Sequence, residues 1–446
     1  MKYKKSQYNL EIGHMDVGSI LMFNTLTGAF CKVDAETQPY LQNSNFFDIE
    51  RVTDSRIREN LNLAGRLGFI AESTKDEVSA FLIGRMSVIT DTHGLGLTIG
   101  PTMDCNMCCP YCYENKSPVY MSKETMDQLV QFVTAYFDRY KETNRFSVTW
   151  YGGEPLMHLS AIRELSRSFI ELCEARNIHY SASIVTNGAL LNADTAKLLS
   201  SECKVSYAQI TIDGIGEYHN RKRILKNGGD SYGIIMKNID DSKECLKIYA
   251  RVNVDKKNVG QLDAMIKEFY VEHQWGNNPE LYFAPVENYS DSCNLSGSCF
   301  QRKEFAELNT ALIKSHYAIN KETVRRLLYP IGRKVHCSAE MCNSYVVDPE
   351  GYLYKCWLDI GNKKVSCGHI SKPFLVTEEY AKWVLSEIPQ KCKECVYLPI
   401  CQGGCGNDRI RKDEPRCPHT IYNLKDKLLL AYEDYLSKKD GLKEEA

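Results

Sequence analysis

The spacing of apolar residues changes character three times along the chain. Near the start they fall in short β-rich runs, Tyr8-Asn-Leu-Glu-Ile12, Ser19-Ile-Leu-Met-Phe23 and Ala29-Phe-Cys-Lys-Val33, which predict three strands. Asn24-Thr-Leu-Thr-Gly28 fits a hairpin turn between the last two. The period then becomes helical near 34–42 and 54–67, where Ile57, Leu61, Leu63, Leu67 and Ile70 recur at loosely helical intervals. A helix near 75–88 leads onward. From residue 95 the two periods alternate. Strands are predicted at 95–102, 146–151, 180–186, 205–212, 247–254 and 280–286, with helices between them near 122–140, 160–176, 192–200, 231–246 and 258–273. On the first of these helices Met126, Leu129, Val130, Val133 and Phe137 share one face, and Ser122 stands where a cap belongs. Such alternation implies parallel strands joined by crossover helices. Six units of it imply an α/β fold built on a partial (β/α)6, TIM-like barrel.

This pattern divides the chain into five parts. Residues 1–72 suit a small winged-helix-like unit, 73–94 a linker helix, 95–330 the barrel, 331–420 a cysteine-rich region, and 421–446 a polar helix and tail. The first unit has no basic stripe, so DNA binding is not expected. An open sheet edge that accepts a peptide as an added strand is the functional reading, and a plain packing role is the alternative.

In a barrel of parallel strands the chemistry sits at the C-terminal strand ends. The residues with chemical character fall there. A loop with Cys105, Cys108, Cys109 and Cys112 follows the first strand, and Gly152-Gly153-Glu154-Pro155 follows the second. Thr186-Asn187-Gly188 ends the third, and Thr211-Ile-Asp213-Gly214 ends the fourth, with His219 and Arg223 beyond it. Asn253 and Asp255 close the fifth. Each motif alone could be an ordinary turn; together they mark one end of the barrel.

Composition narrows the setting. A chain of 446 residues exceeds one ordinary core, so about two or three domains are expected. Net charge is −2, which gives no sign of a nucleic-acid partner. No apolar run approaches the roughly 18 residues that span a bilayer, and the basic N-terminus lacks the apolar stretch of a signal peptide. The chain has 19 cysteines. In a long chain without an export signal these imply reduced, metal-bound thiols and a cytoplasmic location.

Cys105, Cys109 and Cys112 have a C-x3-C-x2-C spacing that can hold three irons of a four-iron cluster and leave the fourth open. Cys108 fits no ligand spacing. Cys293 and Cys299 are read as unligated. Eight further cysteines stand out in 335–420: Cys337, Cys342 and Cys356, then Cys392-x2-Cys395-x5-Cys401-x3-Cys405, and Cys417. They suit a zinc ribbon or two four-iron clusters, and spacing does not separate zinc from iron.

Taken together, the cluster loop with Tyr111 before its last cysteine, Gly152-Gly153-Glu154, and the pattern C-x13-G-x4-C, C-x2-C-x5-C-x3-C and a last Cys resemble the radical SAM enzymes with a SPASM extension. Within that group the N-terminal unit resembles the peptide-recognition domain of maturases acting on ribosomally made peptides. The resemblance implies three [4Fe–4S] clusters and S-adenosyl-L-methionine. Cys105, Cys109 and Cys112 would hold the first cluster. Tyr111 would lie near the adenine, Gly152, Gly153 and Glu154 at the amino end of S-adenosylmethionine, and Arg223 at its carboxylate; Thr211 stands where the family often has Ser before the x-Asp-Gly, and Asn253 would be a further cofactor contact. Related anaerobic sulfatase-maturing enzymes imply Cys337, Cys342, Cys356 and Cys405 for one auxiliary cluster. Cys392, Cys395, Cys401 and Cys417 would hold the other.

The implied activity is generation of a 5′-deoxyadenosyl radical that installs an intramolecular Cys thioether in a precursor peptide. The alternatives are a carbon–carbon link or side-chain oxidation and, in another class, a non-enzymatic zinc-binding interaction protein. The implied partners are a peptide held by its leader at the N-terminal unit and an electron donor such as flavodoxin or ferredoxin. One position departs from the sulfatase-maturing relatives. They place an acidic base directly after the cysteine matched by Cys356, where this chain has Trp357 and, two residues on, Asp359. No residue is singled out as a catalytic base.

Overall fold

The computed structural model describes residues 1–444 except 16–17, 44, 288–296, 331 and 413–415. Cys293 lies outside the described residues. The N-terminal unit has strands β1 (Lys2–Lys5), β2 (Asn9–His14), β3 (Ile20–Asn24), β4 (Phe30–Val33), β5 (Phe47–Asp48) and β6 (Ile70–Glu72), with helices α1 (Gln38–Gln42) and α2 (Ser55–Leu67). The three predicted strands form an antiparallel meander in the order β2-β3-β4, with β4 at one edge. A second sheet, β5-β1-β6, was not expected. Its middle strand is Lys2-Tyr-Lys-Lys5, whose charges conceal it in a hydrophobic pattern. Helix α3 (Glu77–Ile89), capped by Asp76, leads to the barrel.

The barrel strands are β7 (Gly94–Ile99), β8 (Arg145–Trp150), β9 (His179–Thr186), β10 (Val205–Thr211), β11 (Lys247–Val254) and β12 (Glu280–Pro285). All six pair in parallel and in chain order, and β12 and β7 do not pair with each other, so the barrel is partial. Crossover helices α4 (Lys123–Arg139), α5 (Leu159–Glu174), α6 (Ala193–Ser201), α7 (Glu217–Lys222), α8 (Ser231–Ser242) and α9 (Leu262–Lys267) cover it. Ser122 caps α4 by accepting from the Thr125 amide at 3.1 Å, and Met126, Leu129, Val133 and Phe137 are buried beneath the helix. Along β11, Ile248, Ala250, Val252 and Val254 are buried and their alternates half-buried, the period-2 signature of a strand with two unlike faces.

The sheet does not stop at the barrel. Strand β13 (Ser344–Val347) pairs in parallel with β7, and β14 (Tyr352–Tyr354) and β15 (Gly368–His369) continue it antiparallel, giving nine strands. The cysteine-rich region is therefore joined to the barrel by backbone hydrogen bonds. Helices α10 (Arg302–Ile319) and α11 (Lys321–Leu328) precede it, and the C-terminal helix Leu424–Glu444 packs Leu424 and Leu428 against Leu10, Leu21 and Phe23 of the N-terminal sheet. No helix is long and apolar enough to cross a membrane among the described residues.

Candidate active site

The cysteine loop leaves β7 and is pinned at three places. Thr102 bridges to Tyr120, Met107 bridges to Leu225, and the Cys108 amide donates to the Ile224 carbonyl at 2.7 Å. Cys105 is buried and its thiol pKa is pushed up to about 11, chiefly by burial. Its sulfur accepts from the Met107 amide (3.4 Å) and the Asn187 side-chain amide (3.9 Å). Two N–H groups aimed at one sulfur suit a thiolate that has given up its proton to a metal. Cys109 and Cys112 are half-buried and line the same cavity, whereas Cys108 is exposed.

The Gly152-Gly153 turn packs its backbone onto this loop. Gly152 has φ +104°, and a Cβ there would lie 2.4 Å from the Thr102 carbonyl oxygen. At Gly153 it would lie 2.2 Å from that of Asp104. Only glycine permits this approach. The Gly153 and Glu154 amides donate to the same two carbonyls, at 3.1 and 2.8 Å.

Glu154 is fully buried, and its carboxylate accepts from the Thr186 hydroxyl (2.7 Å), the Asn187 amide (2.7 Å) and the Leu156 amide (3.1 Å). Burial pushes its pKa up, and these bonds work against the shift. The side chain thus ties the end of β8 to the end of β9, behind the cavity wall that Gly152 and Gly153 form.

Tyr111, Asp213 and Arg223 form a second buried unit. The Tyr111 hydroxyl donates to Asp213 and accepts from Arg223 at 2.9 Å. Asp213 also accepts from the Asn253 amide (3.3 Å), and burial raises its carboxyl pKa against the opposing pull of Arg223. Burial disfavours the charge on Arg223, but Tyr111, Cys109 and Asp213 outweigh it and hold the guanidinium charged. Helix α7, which was not predicted, positions Arg223 just past its end.

These parts enclose a cavity of about 360 Å³ at the C-terminal strand ends, into which Tyr111, Gly152, Gly153, Thr211, Arg223 and Asn253 all face. Gln209 and Arg251 line it too. They were missed, although the alternation along β10 and β11 was visible and carries a polar set on one face. Arg251 donates through Nε to Asn253 at 2.9 Å. Glu114 also lines the wall, with burial pushing its carboxyl pKa up to about 8.

The far wall comes from the cysteine-rich region: Trp357, Leu358 and Cys405. Trp357 lies against Tyr151, with ring centroids 4.8 Å apart. Asp359 is instead bonded to Arg411 at 2.9 Å and does not line the cavity.

Of the eight later cysteines, Cys337, Cys356 and Cys405 are mutual electrostatic neighbours that add to the effect of burial in raising thiol pKa values. Cys392, Cys395, Cys401 and Cys417 form another such set, in which Cys401 is pushed up to about 11, mainly by burial. The Cys342 thiol donates to the Asp91 carbonyl at 3.8 Å and has Lys355 as its charged neighbour. Asn407 donates to the Cys356 sulfur at 3.8 Å. Among the described residues no three His, Cys, Asp or Glu side chains close around a single ion. A four-iron group is larger than one ion and needs its thiolates further apart.

Residues 99–269 match the Radical SAM superfamily model. The barrel is a radical SAM domain. The chain is homologous to a cysteine-type anaerobic sulfatase-maturating enzyme of Clostridium novyi, 24% identical over 353 residues that cover 73% of this chain and 90% of that one. Its fold is shared with native anSMEcpe solved with bound AdoMet and Cp18Cys peptide, at a TM-score of 0.59 and 21% identity over 78% of this chain and 99% of that one. It is shared too with Streptococcus suis SuiB bound to precursor peptide SuiA, at a TM-score of 0.52 and 16% identity over 94% and 99% of the two chains. The chain thus carries a radical SAM domain and is related to the anaerobic sulfatase-maturating enzymes; that superfamily implies S-adenosylmethionine and a [4Fe–4S] cluster as cofactors.

Proposed function

We propose that this enzyme installs an intramolecular cross-link, a Cys thioether, in a ribosomally made precursor peptide. The observation that carries this reading is the composition of the cavity wall. The loop of Cys105, Cys109 and Cys112 lines one side and Cys405 of the second cysteine region lines another. A substrate between them would meet the site of radical formation and an auxiliary iron–sulfur group together.

When bound, S-adenosylmethionine and the first cluster supply a radical that removes a hydrogen atom from the substrate. The chain's own residues do the rest. Cys105, Cys109 and Cys112 hold the first cluster. Gly152 and Gly153 offer backbone to the amino end of S-adenosylmethionine, and Glu154 braces that turn from behind. Arg223, kept charged by Tyr111 and Asp213, meets its carboxylate, with Thr211 and Asn253 alongside. Tyr111 presents its ring beside the adenine. Cys337, Cys342, Cys356 and Cys405 hold one auxiliary cluster and Cys392, Cys395, Cys401 and Cys417 the other. A flavodoxin or ferredoxin supplies electrons.

The N-terminal unit serves as the leader-binding module. Strand β4 is a sheet edge, and a cavity of about 410 Å³ lies between it and α2, with an apolar part at Leu41, Leu63, Leu67 and Phe69 and a polar part at Asp34 and Asn60. An extended peptide can pair with the edge and set side chains into that groove. SuiB, whose structure holds a precursor peptide, is alike over 94% of this chain, which leaves too little outside for this unit to be excluded. Trp357 in place of an acid, with Asp359 committed to Arg411, argues against the sulfatase-maturing reaction.

Anaerobic iron and sulfide analysis tests the cofactors. About twelve irons are expected by ligand count, and about four fewer after Cys105, Cys109 and Cys112 are changed to Ala. An unchanged iron content would refute that loop as a ligand set, and zinc in place of iron would support the interaction-protein alternative. Mass spectrometry of a peptide encoded beside this gene and co-expressed with it tests the product. The thioether predicts a loss of about 2 Da (two hydrogens in the atom balance of a sulfur–carbon link) together with a thiol that no longer alkylates. The same loss with free thiols would point to a carbon–carbon link or an oxidised side chain.

A further inference from the structure

Lys355 is 3% exposed, and among the described residues its ammonium has no carboxylate partner. It donates to the carbonyls of Met341 and Ser344, the latter at 2.6 Å. It lies over the ring faces of Tyr345 and Tyr380, 4.9 and 5.1 Å from their centroids. Its remaining electrostatic neighbours are the thiols of Cys367, Cys342 and Cys337. Carbonyl dipoles and aromatic faces recover only part of the cost of burying a full charge. The acids buried in this region are bonded elsewhere: Glu340 to Arg85 and Arg409, Asp359 to Arg411, Asp408 to Arg302 and Arg416, and Asp348 to the Tyr354 hydroxyl and the Glu350 and Tyr352 amides. The negative charge that balances Lys355 is then supplied by Cys342 and Cys337, once they are thiolates on a metal; Cys367 lies outside that ligand set.

We infer that Lys355 is the built-in counter-cation of the auxiliary iron–sulfur group at Cys337, Cys342, Cys356 and Cys405, and that it raises that group's reduction potential. The inference rests on the proposed reading of those cysteines as cluster ligands. Reduction adds an electron to a group that is already negative, and a fixed buried cation favours the reduced form. Net charge near the cluster is one of the protein's levers on cluster potential. Lys363 and Lys364, a few residues on, are exposed to solvent and exert little of this effect.

The test is an EPR-monitored redox titration of the anaerobically reconstituted full chain as wild type, Lys355→Met, Lys355→Arg and Lys364→Gln. One of three midpoint potentials is expected to move negative in K355M, to stay near wild type in K355R, and not to move in K364Q. Unchanged midpoints in a K355M protein of full iron content would overturn the role of Lys355 and leave the cluster assignment standing. Wild-type protein without auxiliary iron would overturn both.

Should K355M assemble poorly, thermal stability supplies a second readout. With the cluster present K355M should lower the melting temperature. In the C337A/C356A background, where the cation has lost its balance, it should raise it. A lysine that merely braces the Met341 and Ser344 carbonyls would lower it in both, and that result refutes the inference.

Discussion

The cysteine loop after β7 and the cysteine region after β13 face one cavity, yet they are held in different ways. The loop is seated by backbone: its carbonyls receive the Gly153 and Glu154 amides, and its far side bridges to the strand-like segment after α7. The later region has only short strands and short helices, and its interior is tied by buried charge. Glu340, fully buried, sits between Arg85 of the linker helix and Arg409, with the Arg85 contact at 3.0 Å. Asp359 and Glu379 share Arg411. A site built on a regular sheet can be positioned before its cofactor arrives. A site built on ion pairs and thiols depends more on the metal to complete it.

The largest effect that would separate the two is expected from Glu340→Gln. Removing one charge from a buried cluster leaves the guanidinium groups uncompensated, at a cost of about 3–5 kcal/mol. Urea denaturation should show the loss, and hydrogen exchange should place the loosening in 331–420 while β8 to β11 stay protected. Uniform loosening would erase the distinction between the two regions.

Gly153→Ala should cost about 1–3 kcal/mol, because its Cβ has no room against the Asp104 carbonyl. Its sharper signature is local. S-adenosylmethionine binding, followed by calorimetry, should fall at least tenfold, while the iron at the eight later cysteines is retained. Loss of that iron as well would mean that the two walls assemble as one unit.

A smaller effect concerns acid. Burial lowers His219 to about 3 and His316 to about 4, below the ordinary histidine value. The unfolded chain then binds protons that the folded chain refuses. Stability should be full above about pH 6.5 and decline as pH falls toward 4. Both histidines belong to the barrel side, His316 stacked on Tyr270. Replacing His316 with Phe should flatten the decline by about 1 kcal/mol in pH-dependent denaturation. An unaltered slope would move the acid sensitivity to the other region.

The legibility of the chain follows the same division. Ser122 and the apolar face of α4 were readable because cap and stripe lie within one helix. The six parallel strands were readable because each is bounded by turn residues and followed by a helical period. Strand β1 was hidden by its lysines, and α7 by its shortness. Gln209 and Arg251 carried a signal in strand alternation, but the inner face of a strand has no meaning until the sheet curves. Cys367, which stands outside the eight spaced cysteines, is buried beside Lys355. Its neighbour became visible only through packing.

By itself the sequence determined the barrel class, the loop of Cys105, Cys109 and Cys112, and the resemblance to radical SAM enzymes. These are written in residues close along the chain, where period, capping and spacing act locally. Tertiary structure alone decided that Glu154 braces a turn from behind the wall, that β13 extends the barrel sheet, and that Trp357 and Cys405 complete the cavity. Each of these joins residues tens to hundreds of positions apart. Such contacts depend on how sheet register and burial bring distant segments together, which no local spacing encodes.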